Sequence, residues 1–532
     1  MTSLPLTDAD YLRFLDEGYL VIQPSSLGPD DHRTLYDRAG ELYDLADGGG
    51  GPSAHLTVLG DNLRAQVPAI DRVLEDPRVT GALERILGPR PLLHPHSYCH
   101  RSSPTDQVFH QDGNLPWNER GHYRSHVGDW AMLFYYPQAV DGTNGPTEVV
   151  VGSQYWTIDH ETADGWHRGD RIDRTVTAEE LSHSDPSVRD ERLTAALANG
   201  LGLPGLERRF VTVPAGSVVL AHYDLIHRGS RTGSATSPRY LYKFYFARVR
   251  RGGPGSPRPT SAPRPTNSEP GRADVIEAAW RWAHGGEALY AGPAANGDHG
   301  TAAHPGLAEL EREDQRLAAA YGLARAGDRS ALAAALRGPT EAGRRAASHG
   351  LRAMGRAGVE PLVEGLAAAS APVRRASAAG LASHHAAQPP VVDALVTALA
   401  TDPDDLVRSL SAYALGLLAR ADEADGVAIA EALVARLVPG AEADNAHGAG
   451  FSRSTVRQSA ALALVLTMAN HRVGSVLATV ADLAGSESDR YVEALLVEAL
   501  VRADEDLPGD AARRLLARLA AHRWAPAPVV AE

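Results

Sequence analysis

The chain has 532 residues, of which 43% are hydrophobic and 22% charged, and a net charge of −14 at pH 7. This length predicts about two to four domains, and the acidic balance argues against a nucleic-acid partner, which needs clustered Lys and Arg. No apolar run approaches the roughly 20 residues that cross a bilayer, and the N-terminus lacks the pattern of a secretory signal. The single cysteine, Cys99, excludes an intrachain disulfide and favours a reducing cytoplasm, so we expect a cytoplasmic protein without a membrane partner.

The N-terminal part of the chain combines helices with short strands. Thr7 begins a helix that Gly18 ends, and the apolar run Tyr19–Ile22 follows as a strand. From about residue 91 to 250 the sequence pattern changes to short β-type runs separated by Gly and Pro. Such runs predict a sandwich or barrel, and we place the first domain at residues 1–250. An inserted polar stretch at about 157–206 resembles a lid over a site.

The rest of the chain is of two kinds. Residues 251–305 are rich in Pro, Gly and Ser and predict a linker with one short helix that contains Trp280 and Trp282. Residues 306–532 are Ala- and Leu-rich and repeat a pattern in which an arginine opens a helix of small residues. Unequal spacing of this kind predicts an all-α, HEAT-like solenoid, with a non-repetitive helical bundle as the alternative. The repeated positions are Arg344, Arg374, Arg408 and Arg457.

Three His-x-Asp pairs are candidates for a metal site, because two residues that are two apart on an extended segment project to one face. His183 and Asp185 lie in a polar stretch that predicts a turn. His222 and Asp224 end an apolar strand and, apart from His227 three residues on, the next histidines fall beyond the first domain. His110 and Asp112 have a partner farther along in the same domain, and the sequence therefore favours this pair.

The third ligand is predicted to be His227, which follows a β-type run within the same domain as His110 and Asp112. Two imidazoles and one carboxylate form the facial triad that leaves positions open on non-haem Fe(II). Arg239 opens the next strand, where its guanidinium is expected to enter the same cavity and grip a carboxylate in two hydrogen bonds. A triad with such a clamp describes a site for Fe(II) and 2-oxoglutarate.

At this point the ordered motifs over residues 6–250 resemble the phytanoyl-CoA dioxygenase family of Fe(II)/2-oxoglutarate oxygenases. The set as a whole is much more specific than any single motif. The motifs are Leu6-Thr7 with Phe14 to Val21, His110-Gln111-Asp112, Asn144 to Gln154, Gly216 to Leu220, His227 to Ser230 and Pro238-Arg239.

The resemblance implies an α+β domain with a double-stranded β-helix (jelly-roll) core. It implies that His110, Asp112 and His227 bind the metal, that Arg239 binds 2-oxoglutarate and that Gln111 lies beside the cosubstrate or substrate. Tyr135 and Tyr136 are neighbours on one strand, so that one of them must face the cavity, and Tyr135 is our candidate for a cosubstrate contact. Fe(II), 2-oxoglutarate and O2 are the expected cofactors.

One motif departs from the family. Where a Pro-Gly-Ser-His sequence is usual, this chain has Val151-Gly152-Ser153-Gln154, so a histidine that can touch substrate is missing. Phytanoyl-CoA itself is therefore not the expected substrate, and the helical repeats are an addition to the usual single-domain form. Because Asp112 keeps the carboxylate ligand, hydroxylation is favoured over halogenation, in which this residue is replaced.

We therefore expect a dioxygenase that hydroxylates an unactivated C–H bond of a small-molecule or carrier-bound substrate and releases succinate and CO2. The alternatives are a protein-binding HEAT scaffold with an accessory or degenerate oxygenase domain, a protein or peptide hydroxylase, and a zinc or manganese cupin-like enzyme without an oxoacid. The intact triad argues against degeneration, and Arg239 argues against the zinc or manganese enzyme. A carrier or partner protein is expected to bind, if at all, through the helical repeats.

Overall fold

The computed structural model describes most of the chain, which has an N-terminal segment and a helical segment. The N-terminal segment comprises the described residues within 6–251, and the helical segment those within 309–515. Most of the predicted linker (252–269 and 285–305) and of the predicted lid (157–182 and 202–206) lie outside the described residues. The described ranges are 6–48, 57–61, 63–107, 109–112, 125–156, 183, 185–201, 207–233, 237–251, 270–284, 309–310, 312–382, 388–441, 455–503, 509–512 and 515.

Helices precede and cover the strands of the N-terminal segment. The first begins with a capping box, in which the side chains and backbone N–H groups of Thr7 and Asp10 bond reciprocally, and it ends at Gly18 with a φ of 88°. The helices described here are α1 (Asp8–Glu17), α2 (Pro29–Gly48), α3 (Leu63–Gln66), α4 (Asp71–Leu74), α5 (Pro77–Leu87) and α6 (Pro186–Leu201).

Within the residues that the structure describes, eight strands form two antiparallel sheets. They are β1 (Tyr19–Ile22), β2 (Leu92–Arg101), β3 (Trp130–Tyr136), β4 (Thr147–Val150), β5 (Arg208–Val211), β6 (Ser217–His222), β7 (His227–Gly229) and β8 (Tyr240–Ala247). The larger sheet has the order β1-β6-β3-β8-β2 and the smaller one β5-β4-β7. Every residue of β3, β6 and β8 is buried, which explains why these strands are apolar or aromatic in sequence except at Ser217, His222 and Lys243.

Helices make up the described part of the chain after residue 270. Helix α7 (Pro270–Ala283) carries the two tryptophans of the predicted linker. The helical segment then contains α8 (Glu313–Arg325), α9 (Arg329–Leu336), α10 (Glu341–Ala353), α11 (Val359–Leu366), α12 (Ala371–Ala382), α13 (Pro389–Thr401), α14 (Asp405–Leu418), α15 (Gly426–Leu437), α16 (Thr455–Met468), α17 (Gly474–Ser486) and α18 (Arg490–Arg502). Among the described residues, no helix is both long and apolar enough to cross a membrane.

The repeated arginines hold the turns between these helices. Arg344 donates to the carbonyls of Gly338 and Pro339, at 3.0 and 2.8 Å. Arg374 does the same with Ala368 and Ala369, at 3.0 and 2.9 Å. In each case the guanidinium satisfies carbonyl groups that the end of the preceding helix leaves open, so the repeated residue has a structural role.

Candidate metal centre

An antiparallel bridge brings the two histidines of the triad together. The N–H of His110 donates to the carbonyl of His227, and the N–H of His227 donates back, both at 3.0 Å. Residues paired directly across such a bridge point their side chains to the same face. The two imidazole rings accordingly lie 4.5 Å apart between centroids. The backbone, rather than any contact between the rings, therefore determines their proximity.

Asp112 joins the histidines from the same extended stretch as His110. Its Oδ1 lies 3.6 Å from Nε2 of His110 and 3.8 Å from Nε2 of His227. The three ligand atoms all lie within 4.8 Å of one another. Sequence reasoning selected these three residues, and the structure places them around one point.

The second carboxylate oxygen of Asp112 is held by two residues of β8. Lys243 Nζ lies 2.5 Å from Oδ2, and the hydroxyl of Tyr245 donates to the same oxygen at 3.0 Å. Both contacts leave Oδ1 directed at the histidines. Partners of this kind orient a ligating carboxylate and are as important to a metal site as the ligands themselves.

The tautomer of His227 also suits metal binding. Its Nδ1 lies 2.9 Å from the carbonyl of Leu225, so Nδ1 carries the proton and Nε2 keeps its lone pair. Lys243 Nζ approaches this Nε2 at 3.3 Å. Burial, reinforced by Lys243 and His110, lowers the pKa of His227 to about 3. The ring is therefore neutral at physiological pH, as a ligand must be.

The charge of Asp112 is decided by its neighbours. Burial acts to raise the pKa of this carboxyl, but Lys243, His227 and His110 together outweigh burial and hold the pKa well below its usual value. The carboxylate is 6% exposed and remains ionised. The site therefore offers an ionised carboxylate and two imidazoles, of which His227 is held neutral, to a cation.

Arg239 is buried but has no carboxylate partner in the described part of the chain. It is 3% exposed, and its Nε donates to the carbonyl of Gly145 at 2.8 Å. Burial lowers its pKa, yet a guanidinium stays protonated in proteins. A buried cation without a counter-ion is unfavourable unless a ligand supplies the opposite charge.

Gly145 allows this arrangement because no larger residue fits there. Its φ is 83°, and an added Cβ would lie 2.7 Å from the carbonyl oxygen of Ser230 and 2.9 Å from Cβ of Ser102. Ser102 also exchanges hydrogen bonds with the backbone of Arg239, at 2.9 and 2.8 Å. The turn and the arginine are thus fixed against each other.

The structure corrects the prediction for Tyr135. Its hydroxyl lies 2.8 Å from Nδ1 of His32 on α2, on the outer side of the sheet. Phe134 faces the site instead, with its ring 5.7 Å from that of His227. Because faces alternate along a strand, Tyr136 shares the inner side with Phe134. Its hydroxyl lies 2.8 Å from Oγ1 of Thr147, and burial raises its pKa although the charge of Arg239 acts to lower it.

Gln111 also points away from the triad. It lies between His110 and Asp112, so its side chain projects to the opposite face, where Nε2 donates to the carbonyl of Asp224 at 2.7 Å. The structure therefore gives Gln111 a supporting role in place of the predicted cosubstrate contact. Gln154, which stands at the position of the missing histidine, donates to the carbonyl of Leu15 at 2.8 Å and anchors α1.

Two residues of the site were missed in the sequence. Lys243 and Tyr245 of β8 lie four and six positions after Arg239, which immediately precedes that strand, and this even spacing places all three on one face. A lysine within a buried aromatic strand was the available signal. His100 on β2 also belongs to this face: burial, with Lys243 and Arg239 contributing, lowers its pKa well below the usual value.

The other two His-x-Asp pairs do not assemble a triad among the described residues. Asp185 is exposed, and its carboxylate caps the start of α6 by accepting from the N–H of Ser187 at 2.9 Å. His222 and Asp224 are buried, with Nδ1 and Oδ2 3.9 Å apart. Only the group of His110, Asp112 and His227 brings three ligand atoms together in the described part of the chain.

Comparison with known proteins places this geometry in a family context. The family model of phytanoyl-CoA dioxygenase (PhyH) matches residues 14–239. The match includes the triad and ends at Arg239, whereas Lys243 and Tyr245 lie beyond it. No curated protein matches the chain.

Solved structures with a similar arrangement have low sequence identity. EctD from S. alaskensis, with 2-oxoglutarate and 5-hydroxyectoine, is 18% identical, with a TM-score of 0.32 over 47% of this chain and 78% of that chain. The carbocyclase SnoK from nogalamycin biosynthesis is 16% identical, with a TM-score of 0.31 over 47% and 87%. HygX from Streptomyces hygroscopicus, with nickel and 2-oxoglutarate, is 19% identical, with a TM-score of 0.30 over 46% and 88%.

Proposed function

We propose that this protein is an Fe(II)- and 2-oxoglutarate-dependent dioxygenase that hydroxylates an unactivated C–H bond. One observation carries the proposal: two imidazoles and an ionised carboxylate converge, and the buried guanidinium of Arg239, whose charge acts on His100 together with those of Lys243 and Asp112, has no carboxylate partner among the described residues. The triad fits a divalent metal, and the guanidinium fits an anion bound beside it.

The ligand set fits Fe(II) by chemistry and by orientation. Nε2 of His110, Nε2 of His227 and Oδ1 of Asp112 would hold the ion on one side, while Lys243 and Tyr245 keep Oδ2 away from it. When bound, the iron together with 2-oxoglutarate and O2 supplies the oxidising chemistry, with succinate and CO2 as products. The residues of this chain supply position and charge.

Arg239 orients the cosubstrate. Its remaining N–H groups would donate charge-assisted hydrogen bonds to the distal carboxylate of 2-oxoglutarate. The hydroxyl pair of Tyr136 and Thr147 would donate to the same carboxylate. Phe134, whose ring contacts both His227 and the Lys243 ammonium, provides an apolar wall that excludes water from the metal.

The finer description of the fold is part of the proposal. The two antiparallel sheets would close as a double-stranded β-helix, or jelly roll, within residues 1–250. The helices from 306 onward would form a HEAT-like solenoid, supported by the repeated arginine contacts at the helix starts. Residues 251–305 would connect the two domains through α7.

The substrate is proposed to be a small molecule, free or carried by a partner protein. The scaffold and peptide-hydroxylase alternatives would use the helical segment as a docking surface. One face of that segment is already occupied, since Tyr321, Tyr413 and Tyr491 each place a hydroxyl on the N-terminal segment. A partner protein would therefore bind on another face of the helices.

The test is release of succinate by the purified full-length protein with Fe(II), ascorbate and 2-oxoglutarate in air. Uncoupled turnover requires no knowledge of the substrate. We expect succinate from the wild type, none without Fe(II) or O2, and none from Asp112→Ala, in which the only negative ligand is lost. Full turnover by His227→Ala would refute the assignment of the third ligand. Equal turnover with zinc in place of iron would refute the reaction class.

A further inference from the structure

The helical segment reaches the N-terminal segment through buried polar side chains rather than through apolar surfaces alone. Each contact joins a residue on a helix, or just after one, to the region around the start of β2, the start of β3 or the end of β8. The pairs are Tyr321 with His126, Arg352 with Ser125, Tyr413 with Trp130, Arg420 with Asp129, Asn470 with Val249, Tyr491 with His96 and Arg502 with Arg90.

One of these contacts continues to the metal site. The hydroxyl of Tyr491 on α18 lies 2.9 Å from Nδ1 of His96 on β2. The His96 ring is stacked on Tyr245, with centroids 5.3 Å apart and planes 27° apart. The hydroxyl of Tyr245 in turn donates to Oδ2 of Asp112 at 3.0 Å. All four side chains are buried, with at most 6% of each exposed.

Each side chain in this series of contacts restricts the orientation of the next one. The Tyr491 hydroxyl fixes the rotation of the His96 ring, because a buried imidazole nitrogen must keep its hydrogen-bond partner. A fixed His96 ring fixes the plane of Tyr245 against which it stacks. The position of the Tyr245 hydroxyl then determines which oxygen of Asp112 faces the two histidines.

We propose that Tyr491 is a positioning residue for the metal ligand Asp112, so that the helical segment completes the outer shell of the metal centre. This inference rests on the proposed metal site but not on the identity of the substrate. It gives the helical segment a role in the chemistry that is separate from docking a partner. Removing the Tyr491 hydroxyl should then weaken metal binding, although Tyr491 is separated from the ligand Asp112 by three successive contacts.

The chain offers a matched control in Tyr321. Its hydroxyl lies 3.0 Å from Nδ1 of His126, again a tyrosine of the helical segment on a buried histidine of the N-terminal segment. In both pairs an arginine also donates to the tyrosine hydroxyl, Arg352 at 3.3 Å and Arg490 at 3.5 Å. His126 stacks on His349 at 3.6 Å instead of on a residue that holds Asp112.

The experiment is an anaerobic titration of metal-free full-length protein with Co(II), followed by visible absorption, which reports both affinity and ligand geometry. We expect Tyr245→Phe to bind about 10–100-fold more weakly than wild type, as is typical for loss of an outer-shell partner. We expect Tyr491→Phe to bind about three- to tenfold more weakly with an altered spectrum. Tyr321→Phe should match the wild type in both, although it loses the same kinds of contact as Tyr491→Phe, one to a buried histidine and one from an arginine.

A double variant tests whether Tyr491 acts through Tyr245. If it does, adding Tyr491→Phe to Tyr245→Phe should not weaken Co(II) binding further. If Tyr491→Phe does not fold, His96→Asn, which removes the stacked ring, should show the same loss of affinity. Equal affinity of Tyr491→Phe and Tyr321→Phe, with Tyr245→Phe impaired, would overturn this inference alone. Failure of the wild type to bind Co(II) would overturn the proposed metal site as well.

Discussion

Two buried arginines, one in each segment, differ in what their guanidinium groups contact. Arg374 in the helical segment donates to both oxygens of Asp402, at 2.7 and 3.0 Å, and to two backbone carbonyls. Arg239 in the N-terminal segment donates to one carbonyl and has no carboxylate partner among the described residues. The first is fully satisfied within the protein, whereas the second keeps donors for a ligand. Burial alone therefore does not distinguish a structural arginine from a binding one; the set of partners does.

The ionisable groups of the two segments differ in the same way. In the helical segment, cations and anions pair with one another, as in the contact of Arg375 with Asp404. At the triad, Lys243 holds one oxygen of Asp112 and leaves the other to face the imidazoles of His110 and His227. At the triad, one carboxylate oxygen of Asp112 is therefore directed toward the two histidines, where a cation can bind.

The largest expected effect separates the triad from a His-x-Asp pair that only resembles it. His110→Ala should reduce Co(II) affinity at least about 100-fold, because one of three ligands is lost. His183→Ala removes the histidine of an exposed pair and should leave affinity unchanged. Calorimetric titration of the metal-free proteins measures both. Comparable losses in the two variants would mean that binding is not specific to the triad.

The second prediction concerns stability. Arg374→Ala should lower the free energy of unfolding by about 3 kcal/mol, because the buried carboxylate of Asp402 is left unpaired. Arg239→Ala removes no ion pair among the described residues and should lower it by less than about 1 kcal/mol. Chemical denaturation of the cosubstrate-free proteins compares the two. A larger loss for Arg239→Ala would show that this arginine is structural.

Buried histidines provide a third comparison, because they are neutral where the arginines are charged. Burial lowers the pKa values of His94 and His96 to about 3, against 6.5 in the unfolded chain. The unfolded state therefore binds more protons below pH 6.5, and stability should fall as the pH drops. Between pH 7 and pH 5 the loss is about 2 kcal/mol for each histidine. Denaturation at both pH values checks this, and His94→Asn should reduce the slope.

The smallest expected effect distinguishes two adjacent tyrosines. Tyr136→Phe should raise the 2-oxoglutarate concentration required for half-maximal turnover about fivefold, through loss of one hydrogen bond beside Arg239. Tyr135→Phe, whose hydroxyl contacts His32 on the outer side of the sheet, should leave this requirement unchanged. Succinate formation measured against 2-oxoglutarate concentration compares them. The reverse result would restore Tyr135 as the cosubstrate contact.

Much of the candidate site could be predicted because its parts are local. The spacing of His110 and Asp112 fixes their common face, and His227 follows one predicted strand and Arg239 opens the next. What could not be predicted depends on pairing between distant strands. The choice between Tyr135 and Tyr136 follows from which face of β3 packs on α2, and that is decided by the register of β3 with β6 and β8.

The helical segment illustrates the same limit. Its repeated arginines could be recognised, because each occupies the same place at the start of a helix. Tyr491 and Tyr413 look like ordinary helical residues in sequence. Their importance arises from contacts with His96 and Trp130, which lie almost 400 and almost 300 residues earlier in the chain. No local pattern contains that information.

The most direct test of the account is binding of 2-oxoglutarate to the Fe(II)-loaded protein without oxygen, followed by the visible absorption of the chelate. We predict saturable binding by the wild type and by Arg374→Ala. Arg239→Ala should bind about 100-fold more weakly, which corresponds to about 3 kcal/mol for the lost charged hydrogen bonds. Wild-type affinity in Arg239→Ala would contradict the assignment of its guanidinium to the cosubstrate.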